Sequence, residues 1–194
     1  MRLWVTGALA PAILLTAAAF GLAAPARSAP TCRPGFAPIP MTALPSGHHS
    51  VSVMLNGKAA VFLVDTGAGA TIIHTPYLAR FALSRGAGAG TATNPTGKLR
   101  FDPVAVKGFA VGGTKTRLDK IYAMDISYLV DAVSAASSQR VEGLVGQDVL
   151  RDQKAIVDLD QSILYLADPD STCPDAHGPI VAAIPPVEPR NPAL

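Results

Sequence analysis

One acidic residue interrupts a long apolar stretch in the first half of this chain. The stretch reads AVFLVDTGAGATIIH, from Ala60 to His74, and the acid is Asp65. Burying an unpaired carboxylate at the end of an apolar strand is costly, so such an acid is expected to have partners or a chemical use. Gly67 allows the chain to turn sharply directly after it. The pattern therefore predicts a strand, a tight turn and a second strand that together present one carboxylate for acid–base chemistry.

A second apolar segment follows at a distance of 81 positions, counted from Asp65 to Gly146. It reads VEGLVGQDVL, and its motif is Leu144, Val145 and Gly146. A third segment reads KAIVDLDQSILYL, at 154–166, and resembles a closing hairpin.

These three segments together resemble the retropepsin-like aspartic proteases. That family has an active-site loop of the pattern hydrophobic-hydrophobic-Asp-Thr-Gly-Ala and a later strand that ends in hydrophobic-hydrophobic-Gly. The resemblance covers residues 50–168. It implies a mostly β fold, a closed β-barrel that forms a single lobe, with one or two short helices. It also implies an endopeptidase that acts on peptide or protein substrates and has no cofactor.

The resemblance assigns a role to each residue of the loop. Asp65 would be the catalytic acid, Thr66 would hydrogen-bond across a twofold axis, and Gly67 would leave room for the substrate backbone. Ala68 and Gly69 would line the cleft and bind substrate.

Aspartic proteases use two neighbouring carboxylates that share one proton, because two like charges so close together cannot both ionise. None of the other eleven aspartates is followed by Thr-Gly or Ser-Gly. We therefore expect a homodimer in which Asp65 of each copy meets its counterpart on the axis.

The segment from Arg85 to Gly97 is rich in Gly, Thr, Pro and Asn and predicts a mobile loop. In the retropepsin-like family a flap that covers the substrate lies at about this position. The resemblance thus implies a flap within Arg85–Leu99, with Gly97 as a hinge that contacts substrate.

Composition divides the chain into four parts. Residues 1–26 combine Arg2, an apolar run and the small-x-small sequence Ala24-Pro25-Ala26, which predicts a signal peptide. The run is long enough for an uncleaved membrane anchor, which remains the alternative. We assign 27–48 to an N-terminal extension, 49–168 to the protease-like domain and 169–194 to a Pro-rich tail. We therefore expect a periplasmic or secreted protein, which would contact a membrane only if residues 1–26 are not cleaved.

The two cysteines, Cys32 and Cys173, flank the domain. In an oxidising compartment they can pair and tie the two ends together.

Other classes of site have little support. The net charge is +2 and no Lys/Arg block occurs, which argues against nucleic-acid binding. His48, His49 and His74 lack partners at zinc-ligand spacing, so we expect no metal site. We expect Glu142 at a solvated strand end and Asp148 at a helix start, in a structural role.

Secondary-structure signals are mostly extended. Asn56-Gly57 predicts a hairpin turn, Thr75 to Phe81 a short helix, and Lys98–Val106, Phe109–Val111 and Lys115–Met124 strands. Residues 125–138 fit either a helix or a long loop.

Two departures from the retroviral enzymes keep a second function open. Gly69-Ala70 replaces acidic residues that hold the substrate main chain there, and Gln147 stands where Arg is frequent. The alternative to an endopeptidase is a non-proteolytic module on the same fold that binds peptides or cell-wall material.

Overall fold

The computed structural model describes residues 32–94, 97–137 and 139–173, and these are mostly extended. The strands are β1 (Phe36–Pro40), β2 (Thr42–Ala43), β3 (His49–Leu55), β4 (Lys58–Val64), β5 (Ile72–His74), β6 (Gly90–Asn94), β7 (Gly97–Ala105), β8 (Phe109–Val111), β9 (Thr114–Lys115), β10 (Lys120–Met124), β11 (Gly143–Val145), β12 (Ile156–Asp158) and β13 (Ile163–Ala167). The helices are α1 (Ser127–Ser137) and α2 (Gln147–Asp152). The mostly β fold class with few short helices is confirmed; closure of the barrel remains a prediction.

The strands form two sheets. The smaller sheet has the order β1-β13-β12 and is antiparallel throughout. The larger sheet runs β6-β7-β10-β5-β11-β4-β3-β8-β9, with β2 paired to β3. Its parallel contacts are β10 with β5 and β11 with β4. These parallel contacts bring together strands that are distant in sequence.

The β3–β4 hairpin sets the position of Asp65. Its turn is Asn56-Gly57, where both residues have positive φ, 50° and 78°, as the favoured two-residue hairpin turn requires. The predicted hairpin is thus present. On β4, Phe62 is fully buried in one apolar cluster and Leu63 is buried in a second. Because both faces of β4 are covered, the strand is a continuous apolar run rather than an alternating one.

Three local predictions differ from the structure. The segment predicted as a mobile loop contains strand β6, which pairs with β7 and forms a hairpin. The strand predicted over Lys115–Met124 is divided, with β9 ending at Lys115 and β10 starting at Lys120. The short helix predicted from Thr75 is two single-turn 3₁₀ helices, Thr75–Tyr77 and Ala79–Phe81. The ambiguous segment 125–138 contains helix α1.

The two ends of the described chain lie side by side. β1 and β13 pair over five residue positions, and Cys32 forms a disulfide with Cys173 across a Cα–Cα distance of 5.6 Å. The predicted pairing of the cysteines is therefore present. Both β1 and β2 lie in the stretch predicted as an N-terminal extension, so that stretch contributes to both sheets.

Several predictions fall on residues outside those described. They are the signal peptide or anchor at 1–26 and all but the first residues of the tail at 169–194. Within residues 32–94, 97–137 and 139–173, no helix is long and apolar enough to span a bilayer.

Candidate active site

The turn after β4 holds the side chain of Asp65 by one of its two oxygens. Oδ1 accepts hydrogen bonds from the backbone N–H groups of Gly67, at 2.8 Å, and Ala68, at 3.2 Å. No donor among the described residues reaches Oδ2. Asp65 is half-buried, while Thr66 and Gly67 are exposed. The turn therefore fixes the carboxylate by a local Asx-type arrangement and leaves one oxygen for an external partner.

The second motif lies directly beside this turn. Strand β11 pairs in parallel with β4, so that Val145 is opposite Val64 and Leu144 opposite Leu63. The N–H of Asp65 donates to the carbonyl oxygen of Val145 at 3.0 Å. The structure thus brings the two predicted motifs together across their 81-position separation.

Gly146 is required by a close approach of two backbones. A Cβ atom on Gly146 would lie under 3.0 Å from backbone atoms of Ala70, closer than real Cβ atoms come. Gly69, by contrast, has nothing within 4 Å of such an atom. The conformation of the Asp65 loop therefore depends on the absence of a side chain at Gly146.

A set of hydrogen bonds that could not be predicted from the sequence joins Thr71, at the end of the Asp65 loop, to helix α2. Thr71 is fully buried; its N–H donates to Oδ2 of Asp148 at 2.8 Å, and its hydroxyl donates to Oδ1 at 2.7 Å. The same hydroxyl accepts from the N–H of Gly146 at 3.2 Å. Val149 N–H also donates to Oδ1 of Asp148, at 2.8 Å. Asp148 therefore stabilises the loop as well as the start of the helix.

Gln147 also holds the Asp65 loop, through two hydrogen bonds to its backbone. Its side-chain Nε2 donates to the carbonyl oxygen of Thr66 at 2.7 Å, and its backbone N–H donates to that of Ala68 at 2.9 Å. Its Oε1 in turn accepts from Nε of Arg151 at 3.1 Å. Gln147, which departs from the retroviral pattern, thus anchors the backbone of the Asp65 loop.

An apolar cavity of about 290 Å³ connects this loop to the β6–β7 hairpin. Its lining residues come from the loop, from β5, from the hairpin and from β10: Gly69, Ala70, Ile72, Ala92, Phe101, Tyr122 and Met124. Phe101 and Tyr122 meet edge to face, with ring centroids 5.2 Å apart. A larger cavity of about 810 Å³, between the β8–β9 turn and the end of β13, contains none of the predicted site residues.

Of the three predicted substrate-contacting residues, Gly69 lines this cavity, whereas Ala68 and Gly97 do not. Gly97 lies on the β6–β7 hairpin. It is the first residue of β7, pairs with Asn94 across the hairpin and has a φ of 127°. Such a φ suits glycine. Its predicted role as a hinge remains a prediction.

Charged side chains form ion pairs at the base of the β6–β7 hairpin. Asp102 on β7 is 3% exposed and accepts from Arg85 at 2.9 Å and from Nη2 and Nε of Arg100 at 2.8 and 3.2 Å. Mainly because of the hydrogen bonds from Arg100, the pKa of Asp102 lies below its usual value, although burial opposes this. Arg85 precedes β6 and Arg100 lies on β7, so one carboxylate links both sides of the hairpin.

Glu142 does not lie at a solvated strand end, so that prediction was wrong. It is 3% exposed, forms an ion pair with Arg80 and accepts from the N–H of Val61 at 2.7 Å. A buried carboxylate needs such partners. Its ion-pair partner is 62 positions away in sequence, and no local signal indicated the pairing.

The histidines have separate environments. His74 is buried, and its Nδ1 accepts from the N–H of Ile126 at 3.2 Å. His48 is exposed, and His49 begins β3. In the described part of the chain no group of three or more His, Cys, Asp or Glu side chains is arranged to hold a metal ion.

A comparison with known families and structures adds to this geometry. A family model described as gag-polyprotein putative aspartyl protease matches residues 51–152, more than half of the chain. No curated protein sequence matches significantly.

Three solved structures are similar to the chain. A retropepsin-like aspartic protease from Rickettsia conorii is 18% identical, with a TM-score of 0.48 over 69% of this chain and 100% of that one. The EIAV protease, complexed with the inhibitor HBY-793, is 19% identical, with a TM-score of 0.39 over 56% and 90%. The retroviral protease-like domain of Ddi1 from Leishmania major is 16% identical, with a TM-score of 0.42 over 66% and 95%.

Proposed function

The chain belongs to the gag-polyprotein aspartyl protease family, and on this premise we propose that it is an aspartic endopeptidase whose catalytic residue is Asp65. The proposal rests on how the carboxylate of Asp65 is hydrogen-bonded. The backbone of Gly67 and Ala68 holds one oxygen of Asp65, and the other accepts no hydrogen bond from the described residues. A general base needs this combination of a fixed position and an available oxygen.

One copy of the chain supplies half of the required acid pair. In the proposed homodimer the two Asp65 carboxylates lie close together and share one proton. The ionised member removes a proton from a water molecule, which attacks the peptide carbonyl. The protonated member polarises that carbonyl and then helps the amine to leave. No metal or cofactor has a step in this mechanism.

The neighbouring residues then have defined tasks. Thr66 is exposed next to Asp65, a position from which its hydroxyl can meet the other copy. Gly67 has no side chain to obstruct a bound peptide backbone. Ala68 and Gly69 border the cleft, and Gly69 also lines the apolar cavity below the β6–β7 hairpin.

We assign the β6–β7 hairpin as the flap over the substrate. It contributes Ala92 and Phe101 to the cavity that reaches the loop residues Gly69 and Ala70. A peptide held between loop and hairpin would place an apolar side chain in this cavity, which has no charged side chain in its lining.

The disulfide supports export. A bond between Cys32 and Cys173 persists in an oxidising compartment such as the periplasm or the extracellular space. We therefore propose that residues 1–26 direct the chain out of the cytoplasm.

The test is cleavage of denatured casein by purified residues 27–194, from about pH 3 to 7, the range in which a carboxylate pair titrates. Asp65→Asn is compared with Asp131→Asn, which changes an exposed aspartate on α1. We expect cleavage by the wild type and by Asp131→Asn, inhibition by a pepstatin-type compound, and no cleavage by Asp65→Asn. Cleavage that survives in Asp65→Asn would refute the catalytic assignment. A folded, dimeric wild type that cleaves nothing would favour the binding-module alternative.

A further inference from the structure

The cavity of about 810 Å³ lies outside the site around Asp65. It is lined by residues 113–117, which include β9, by residues 152–154 at the end of α2, and by residues 167–170 at the end of β13. We call it the β9 cavity. Ligand cavities in proteins have volumes of about 300–1,000 Å³. The β9 cavity is therefore of the size that binds a small molecule, and none of the residues assigned to the proposed endopeptidase lines it.

Two sides of the β9 cavity carry opposite charges. Lys115 and Arg117 lie on the β9 side, and Asp168 and Asp170 lie on the β13 side. Neither cation has a nitrogen within 4.0 Å of a carboxylate oxygen of the described residues. The fold thus holds two cations and two anions around one space without pairing them.

The end of α2 completes the lining with a buried amide. Gln153 is 8% exposed, and its Nε2 donates to Oδ2 of Asp152 at 3.1 Å. No donor among the described residues reaches its Oε1, although a buried acceptor normally has a donor. Lys154 balances the charge of Asp152, so the end of α2 adds no net charge to the cavity. Gln153 therefore has an acceptor available for a ligand at this wall.

These features together select a ligand with a negative end, a positive end and an N–H group between them. Guanidinium and ammonium groups bind carboxylates through charge-assisted hydrogen bonds. A peptide with free termini has both charges at neutral pH and an N–H at each peptide bond. A cavity of 810 Å³ is about 9 Å across if its dimensions are equal, which suits about two or three residues at roughly 3.3–3.6 Å each.

We propose that the β9 cavity binds di- or tripeptides with free termini. The peptide carboxylate lies against Lys115 and Arg117, the ammonium group lies against Asp168 and Asp170, and a peptide N–H donates to Gln153. This binding does not depend on the proposed function, because none of these residues belongs to the site around Asp65. Peptides with free termini are also what an endopeptidase releases, so the proposed function would supply the ligand.

The experiment is isothermal titration calorimetry of residues 27–194 with the substitution Asp65→Asn, so that cleavage does not interfere. The probe is trialanine, compared with trialanine amide, N-acetyl-trialanine and the peptide capped at both ends. We expect each cap to raise the dissociation constant about tenfold, equivalent to about 1.4 kcal/mol. Equal affinities for trialanine and the doubly capped peptide, or no saturable binding at millimolar concentrations, would overturn the proposal.

Substitutions on the two sides of the cavity should separate the two ends of the peptide. Arg117→Gln should weaken the binding of trialanine but not of trialanine amide, which has no carboxylate. Asp170→Asn should weaken the binding of trialanine but not of N-acetyl-trialanine, which has no ammonium group. The matched controls Arg140→Gln and Asp131→Asn change exposed residues outside the cavity and should leave every affinity unchanged. If Arg117→Gln does not fold by circular dichroism, Lys115→Gln replaces it, and equal effects in variants and controls would contradict the assignment.

Nuclear magnetic resonance of isotope-labelled protein locates the bound peptide. The backbone amide signals of Lys115 and Gln153 should shift when trialanine is added, and those of Gly69 and Ile72 in the substrate cavity should not. Shifts confined to Gly69 and Ile72 would refute the β9 cavity as a peptide site and leave the proposed function standing. Shifts at Gln153, in a chain whose wild type never cleaves casein, would refute the proposed function and retain the β9 cavity.

Discussion

The substitution Thr71→Val tests whether the hydrogen bonds of the Thr71 hydroxyl hold the Asp65 loop in place. Valine keeps the shape of threonine but removes its hydroxyl group. In the structure this hydroxyl donates to Asp148 at 2.7 Å and accepts from the N–H of Gly146 at 3.2 Å. Both bonds are lost, while the N–H of residue 71 still reaches Oδ2 of Asp148.

The expected loss follows from the two bonds. A hydrogen bond to a charged group contributes about 1.5–3 kcal/mol, and a buried N–H left without an acceptor costs about 1–3 kcal/mol. Thr71 is fully buried and Gly146 is buried, so water cannot replace the hydroxyl without rearrangement. We expect the free energy of unfolding to fall by about 3–5 kcal/mol, a large part of the roughly 5–15 kcal/mol that stabilises a typical domain.

The assay is urea denaturation followed by circular dichroism, with Thr71→Ser as the control. Serine retains the hydroxyl and loses one methyl group, which costs about 1 kcal/mol. All samples are compared at one protein concentration, since a dimer is more stable at higher concentration. A loss below about 1 kcal/mol in Thr71→Val, or equal losses in the two variants, would refute the hydrogen-bond argument. Casein cleavage by Thr71→Val under folding conditions should also be weaker than by Thr71→Ser.

Three further substitutions have defined outcomes. Asp102 has a lowered pKa, so its stabilising effect is complete above its ordinary pKa of about 3.9 and is lost as the pH falls through the lower folded value. Asp102→Asn should therefore reduce the fall in melting temperature that the wild type shows below about pH 4. An equal fall in the wild type and the variant would contradict this. Gly146→Ala should unfold the loop or abolish cleavage, because its Cβ would meet the backbone, whereas the melting temperature of Gly69→Ala should match the wild type. Replacing Cys32 and Cys173 together by Ser opens a loop with a sequence separation of 141. In the chain-entropy model this should lower the free energy of unfolding by up to about 5 kcal/mol, which calorimetry measures. An unchanged melting temperature would show that the ends are held by β-pairing alone.

The features that could be predicted from the sequence are those with local causes. Asn56-Gly57 determines its own turn, and the apolar run before Asp65 identifies a strand covered on both faces. The motif Leu144-Val145-Gly146 was identified through the family resemblance, and in the structure its strand β11 pairs with β4, the strand that precedes Asp65.

The features that could not be predicted depend on partners distant in sequence. Arg80 and Glu142 are 62 positions apart, and each alone is typical of a solvated charge. Strand β6 has a loop-like composition and is extended because β7 pairs with it. Its Gly90 lies under the ring of Phe101, and a Cβ at this position would require that ring to shift. Tertiary contacts therefore override local preference in these places.

The arrangement of donors separates the structural aspartate from the proposed catalytic one. Asp148 accepts three hydrogen bonds spread over both oxygens, from Thr71 N–H, the Thr71 hydroxyl and Val149 N–H. Asp65 accepts two from described residues, both on Oδ1. A carboxylate with donors on both oxygens has little hydrogen-bonding capacity left for a substrate. Asp65 keeps one oxygen without a donor among the described residues, which is the oxygen that the proposed mechanism requires.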